Sequence, residues 1–238
     1  MECRVYEDKP CSYLSGGCVR ISAMRTLILA SNSPRRSELL GLLGLPFVVH
    51  PANIAEVQAS GEPPDDYVLR LARHKAAASA VDQPGLVIAA DTTVVDGDEL
   101  LEKPVDAGDA RRMLLQLRGR VHQVYTGIAI LDGDTGHSYD AVCCTQVPMR
   151  DYSDAEIAAY IATGDPLDKA GAYAIQHAGF QPVEGLRGCY ASVMGLPLCH
   201  LLVGLQTLAV DIPDGLPDRC QAHLQYDCPV SRAILGRF

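Results

Sequence analysis

The sequence predicts an α/β protein built on a mixed β-sheet with flanking helices. Two continuous apolar runs, 27–30 and 86–90, have the composition of strands covered on both faces. Segments with apolar residues at helical spacing lie between and after them. Two further apolar runs, 124–131 and 141–147, are joined by Asp132-Gly133-Asp134-Thr135-Gly136. That turn chemistry predicts a hairpin, and hence a sheet that is mixed rather than parallel throughout.

Taken in order, Leu27-Ile28-Leu29-Ala30 ends in Ser31-Asn32-Ser33, and Ser33 before Pro34 predicts a helix N-cap with proline at the first helical position. That helix carries Leu39, Leu40, Leu42 and Leu43 and ends near Gly44. Phe47-Val48-Val49 is a short strand and 50–62 a polar loop. A helix from Pro63-Pro64 to about Ala80 follows, with Val68, Leu71, Ala72 and Ala76 at helical spacing. The strand at 86–90 terminates in Asp91-Thr92-Thr93, resumes as Val94-Val95 and turns at Asp96-Gly97-Asp98. A helix from about Asp106 to Leu117 precedes the hairpin. Ser153-Asp154-Ala155-Glu156 has capping-box spacing and opens a helix reaching Gly164. The polar, turn-rich segment 165–176 comes next, and Gly195-Leu196-Pro197 introduces the last helix, through Leu201, Leu202 and Leu205. Met24-Arg25-Thr26 is a natural start for the globular part. Residues 1–23 are therefore expected as a disordered extension, 24–210 as the folded domain, and the aperiodic, Pro-, Asp- and Cys-rich 211–238 as a tail.

The 238 residues are 48% apolar and 21% charged, with no window approaching a membrane span. A formal net charge of −9 argues against a nucleic-acid partner, which calls for a broad basic face. The nine cysteines include no C-x-x-C pair, and the first 23 residues lack a secretory h-region; reduced thiols in a cytoplasmic protein are expected. An anionic ligand would need a local cluster of cations or a metal ion.

The turn at 31–36 supplies such a cluster. Helix N-termini expose unpaired N–H groups and partial positive charge, so Arg35 and Arg36 at this end oppose the helix dipole unless an anion binds there. Neither G-x-x-x-x-G-K-[ST] nor a strand followed by G-x-G-x-x-G is present. Asp91 ends the second long apolar run. If the two strands are parallel neighbours, the anion-binding turn and this carboxylate face one crevice. A carboxylate beside a polyphosphate implies a divalent cation between them, magnesium or manganese. Lys75 and Lys103 can add charge to the same cleft, the latter stiffened by Pro104. No H-x-x-x-H pair suggests zinc.

Several blocks together resemble the Maf family of nucleoside triphosphate pyrophosphatases. They are Ala30-Ser31-Asn32-Ser33-Pro34-Arg35-Arg36, Ala90-Asp91-Thr92, Lys103-Pro104, Val121-His122-Gln123-Val124-Tyr125-Thr126-Gly127, Gly164-Asp165-Pro166-Leu167-Asp168-Lys169-Ala170-Gly171-Ala172-Tyr173-Ala174-Ile175-Gln176 and Val193-Met194-Gly195-Leu196-Pro197. The resemblance covers about residues 24–210. It implies two lobes around a cleft, similar to inosine triphosphate pyrophosphatases, and metal-assisted hydrolysis of a nucleoside triphosphate to monophosphate and pyrophosphate. It further implies Asp91 as proton acceptor and metal ligand, and Glu56 as a second metal ligand. Ser31, Ser33, Arg36, Lys75 and Lys103 would be phosphate contacts. Arg35, Thr92 and Gln176 match the specificity residues of the branch preferring dTTP and UTP, whereas the branch acting on 7-methyl-GTP has Gln after the aspartate. A homodimer is expected on the same ground.

Three departures are visible, the first being that the family in its minimal form lacks the segments 1–23 and 211–238. Glu102 stands where Gly is common before Lys-Pro. Ser192-Val193-Met194 replaces the usual Asn-Val-Val, which is expected to loosen that turn. The rival reading is a non-catalytic nucleotide-binding regulator of cell division, disfavoured because binding alone has no need of a carboxylate facing phosphate.

Overall fold

The computed structural model describes residues 25–81 and 84–236, together with the backbone of a two-residue strand, β1 (Val5–Tyr6). Apart from that strand, the expectation for 1–23 lies outside the described residues. The first apolar run forms β2 (Leu27–Leu29), and Pro34 opens α1 (Pro34–Gly41) as expected. Next come β3 (Phe47–Val49) and α2 (Pro64–Ala80). They lead to β4 (Leu86–Asp96) and β5 (Glu99–Leu101), then α3 (Ala107–Leu117), N-capped by the Asp106 carboxylate. The hairpin is β6 (Val121–Asp132) and β7 (Ser138–Pro148). Ser153 and Glu156 close the predicted capping box at the start of α4 (Asp154–Ala162). Two 3-10 turns, Asp165–Asp168 and Ala170–Ala172, follow, and then α5 (Tyr190–Met194) and α6 (Leu198–Thr207).

The sheet order is β1-β7-β6-β4-β2-β3, with β5 added to β4. β2 runs parallel to β3 and β4, whereas the β4–β6, β6–β7 and β4–β5 pairs are antiparallel. On one face, Ile28, Ala30, Val87 and Ala89 pack on Ala72 and Ala76 of α2. On the other, Leu27, Leu29, Ile88 and Ala90 belong to the main core with Leu39, Leu40 and Leu201. No helix among the described residues is long and apolar enough to cross a membrane.

The edge of β4 that faces β2 changes neighbours along its length. β2 pairs with Leu86, Val87 and Ile88, and β5 pairs with Val94, Val95 and Asp96. Over residues 89–93 neither strand lies alongside. This gap separates two lobes, one carrying β2, β3, α1 and α2, the other β5, α3, α4 and the 3-10 turns, while β4, β6 and β7 run through both.

Two expectations are corrected. Asp91 does not end a strand: β4 is one run of 11 residues, because β6 pairs continuously across Asp91, Thr92 and Thr93 and holds them extended. Residues 211–236 are not an aperiodic tail but carry α7 (Leu216–Leu224) and α8 (Ser231–Leu235), both packed on α6, with Leu216 and Ile234 buried. Each helix offers one or two apolar anchors, too few for a readable period, so their place is set by the surface of α6.

Where α2 crosses β6 the backbones nearly touch. A Cβ on Gly127 would lie 2.7 Å from the Val68 carbonyl carbon and oxygen and 2.8 Å from the Leu69 nitrogen. Gly127→Ala should therefore push α2 off the sheet and destabilise the protein by about 1–3 kcal/mol, the usual cost of overpacking. Urea denaturation measures it; an unchanged midpoint would show that α2 can yield there.

Candidate functional site

A cleft of about 400 Å³ opens at the gap beside β4. Ser31, Ser33, Arg35, Arg36, Glu56, Lys75, Asp91, Thr92, Lys103 and Gln176 all line it. Residues spread over six separate parts of the chain are thus brought to one place. Five cations (Arg35, Arg36, Lys75, Lys103 and Lys169) stand against four carboxylates (Glu56, Asp91, Glu102 and Asp168), an excess of positive charge inside an acidic chain.

The pleat of β4 sends Asp91 and Thr92 to opposite faces. Asp91 points to α2, where the buried Lys75 Nζ lies 2.6 Å from Asp91 Oδ1 and 2.6 Å from Glu56 Oε1. Lys75, expected to face phosphate, is thus engaged with two carboxylates. At Glu56, burial pushes the pKa up, but the Lys75 hydrogen bond and the charges of Lys75 and Lys103 outweigh it and leave the carboxyl below its ordinary value. Glu102 stands on the rim with Tyr67 OH donating to its Oε1 at 3.1 Å. Burial raises the Glu102 pKa, the Tyr67 hydrogen bond opposes this, and the charges of Asp91 and Glu56 add to the rise.

Thr92 points to α5 and meets Arg36. The Arg36 guanidinium donates from Nε to the Gly195 carbonyl at 2.9 Å, from Nη1 to Ser31 Oγ at 3.3 Å and from Nη2 to Thr92 Oγ1 at 3.2 Å. All three acceptors are neutral, and two of its five N–H groups are left for a ligand. Burial lowers the Arg36 pKa, Asp91 opposes that, and the neighbouring Arg35 adds to it. Gly195 is needed for this approach: its φ is +107°, and a Cβ there would sit 3.2 Å from both Arg36 Nε and Thr92 Oγ1. Ser33 occupies the N-cap of α1 without a side-chain cap bond; instead its N–H donates to Ser31 Oγ at 3.2 Å.

The Ser192 position is not loosened. Its Oγ donates to the Cys189 carbonyl at 2.8 Å and lies 2.7 Å from Thr145 Oγ1, so the serine clamps α5 to β7. Gln176 is exposed at the rim, just past the second 3-10 turn.

Two contributors escaped residue-level reading. Lys169 is buried and bonded to the Asp165 carbonyl, to Asp165 Oδ1 at 3.0 Å and to Asp168 Oδ1 at 2.6 Å, which folds the 3-10 turns into a rigid wall. Its sequence signals were the i,i+4 spacing of Asp165 and Lys169 and its place in the Gly164–Gln176 block. Tyr173 lines the cleft and its hydroxyl lies 2.8 Å from His122 Nε2, a contact across 51 residues that no local pattern announces.

Burial holds the His122 imidazole at about 4 instead of 6.5. The native ring stays neutral while the unfolded chain takes up a proton, so stability falls as pH drops from 6.5 toward 4, by roughly 1.4 kcal/mol per unit from this group. His122→Gln should therefore lose less stability between pH 6.5 and 5 than the wild type, measured by urea midpoints. Equal losses would rule out His122 as a source of acid sensitivity.

Comparison with known proteins identifies the family. A dTTP/UTP pyrophosphatase of Anaeromyxobacter dehalogenans is 50% identical over 190 residues, covering 79% of this chain and 96% of the relative. One from Geobacter sulfurreducens is 45% identical over 183 residues (76% and 96%), and one from Thermomicrobium roseum 46% over 214 residues (87% and 95%). Among solved structures, a nucleoside-triphosphatase / dITP/XTP pyrophosphatase from Mycobacterium abscessus superposes with a TM-score of 0.37 at 15% identity, over 77% of this chain and 97% of that one, too loosely to bear on the site. Residues 26–208 match the family model described as Maf-like protein, and the chain belongs to the Maf family.

Proposed function

We propose that the protein hydrolyses dTTP and UTP to the nucleoside monophosphate and pyrophosphate. The observation that carries this is the meeting of the Asp91–Lys75–Glu56 cluster with Arg36 and Lys103 in one cleft. The relatives named dTTP/UTP pyrophosphatase give the substrate class. In this reading the triphosphate lies against the N-terminus of α1, Ser31, Ser33, the spare N–H groups of Arg36, and Lys103. Arg35, Thr92 and Gln176 face the base.

Lys75 holds Asp91 by Oδ1, which leaves Oδ2 to take a proton from a water. That water forms a bond to the α-phosphorus while the bond from the α-phosphorus to the bridging oxygen breaks. Charge then builds on the departing pyrophosphate, where Arg36 and Lys103 stabilise it. Glu56 Oε1 and Asp91 Oδ1 meet at Lys75 Nζ, and the second oxygen of each carboxylate is the hard donor that would suit magnesium or manganese. Among the described residues no three His, Cys, Asp or Glu side chains gather to hold an ion alone. An ion here would thus be completed by phosphate oxygens and water, and would supply neutralisation of the triphosphate. A cytoplasmic setting belongs to the same reading.

Pyrophosphate release from a panel of triphosphates tests the proposal. Release from dTTP and UTP is expected; binding without release would make the protein a nucleotide-binding regulator, and release from 7-methyl-GTP alone would move it to the other branch. Asp91→Asn should keep the fold, by circular dichroism, and lower kcat by about 10²-fold or more, the usual worth of a general base. Chelation with EDTA should abolish turnover and added magnesium or manganese restore it; turnover that survives exhaustive chelation contradicts the metal assignment.

A further inference from the structure

Behind the cleft, hydrogen bonding runs in one direction. Arg36 Nη2 donates to Thr92 Oγ1 at 3.2 Å, Thr92 Oγ1 and Thr126 Oγ1 are 2.9 Å apart, and Thr126 Oγ1 donates to the Ser192 carbonyl at 2.8 Å. A guanidinium only donates, a carbonyl only accepts, and each hydroxyl has one proton. The Thr126 proton therefore goes to Ser192, and the Thr92 proton goes to Thr126; no other assignment satisfies every contact. Thr126 and Ser192 are both 0% exposed, so no solvent is at hand to take over a broken link. The Ser192 end is pinned in turn by its bonds to Cys189 and Thr145.

We propose that Thr126 is a positioning residue for base selection. It consumes the single Thr92 proton and leaves Thr92, at the cleft wall, able only to accept. A ligand atom meeting Thr92 must then be an N–H donor. This rests on the reading of the cleft as a pyrimidine nucleoside triphosphate site. At N3 uracil and thymine present N–H, whereas cytosine presents a bare acceptor and has its donor at N4; with the base meeting Thr92 through its N3 position, the polarity of the chain favours UTP over CTP. A phosphate oxygen, being an acceptor, is refused at the same position.

The test compares kcat/KM for UTP and CTP in Thr126→Val and Thr126→Ser. Valine removes the acceptor and frees the Thr92 proton to turn toward the ligand, so the UTP:CTP ratio should fall about fivefold or more, the usual worth of one hydrogen bond. Serine keeps the chain and should keep the ratio. An unchanged ratio in the folded valine variant overturns the proposal, and so does an equal loss on both nucleotides, which would mark a merely structural residue. Should the valine variant not fold, Thr126→Ala carries the same comparison. Calorimetric binding of the non-hydrolysable α,β-methylene analogues of UTP and CTP reads the preference without turnover. Wild-type protein that prefers the UTP analogue but hydrolyses neither nucleotide counts against the proposed activity alone; equal affinity for the two analogues counts against Thr126.

Discussion

Arg36 is a cation held at the seam of the molecule by three neutral oxygens, one each from the β2–α1 turn, β4 and the α5–α6 turn. Charge-assisted hydrogen bonds of this kind are worth about 1.5–3 kcal/mol each, so the side chain ties the three segments together at the cleft. None of the three acceptors cancels its charge. The same residue that closes the structure therefore leaves positive potential at the N-terminus of α1, where the helix dipole already favours an anion. Gly195 makes this possible by keeping a Cβ out of the contact.

Adjacent residues of β4 serve opposite faces. Asp91 enters the ion cluster with Lys75 and Glu56 under α2, and Thr92 enters the hydroxyl chain with Thr126 under α5. Both reach one cleft because β2 stops short of β5 and leaves the intervening edge of β4 open. Lys75 keeps two carboxylates together beside the proposed polyphosphate site. Without its charge they would repel each other and the ligand, and removing one partner from a buried ion cluster typically costs about 3–5 kcal/mol.

The α5 region shows a buried serine used as a clamp. Ahead of Gly195, the Ser192 hydroxyl bonds to Cys189 and Thr145. Because the Ser192 carbonyl also receives Thr126, the clamp on α5 and the polarity of Thr92 are parts of one buried network.

Most strands and helices up to α6, the hairpin and the capping box at Ser153 were legible in the sequence, because apolar period, cap spacing and turn residues are local signals; β5 and α5 were not, and Glu56 and Gln176 were singled out by the family resemblance alone. The dipole conflict at Arg35 and Arg36 likewise pointed to an anion without any structure. Tertiary contacts decided the rest. Only the continuous β6 ladder made Asp91 a mid-strand residue, and only the packing of α2 put Lys75 between Asp91 and Glu56. The helices of 211–236 depend on α6, and the partners of Tyr173 and Thr126 lie 51 and 66 residues away. Sequence period reports which residues are buried together; it carries no information on which polar atoms then satisfy one another, since that depends on the approach of distant backbones to within hydrogen-bond distance.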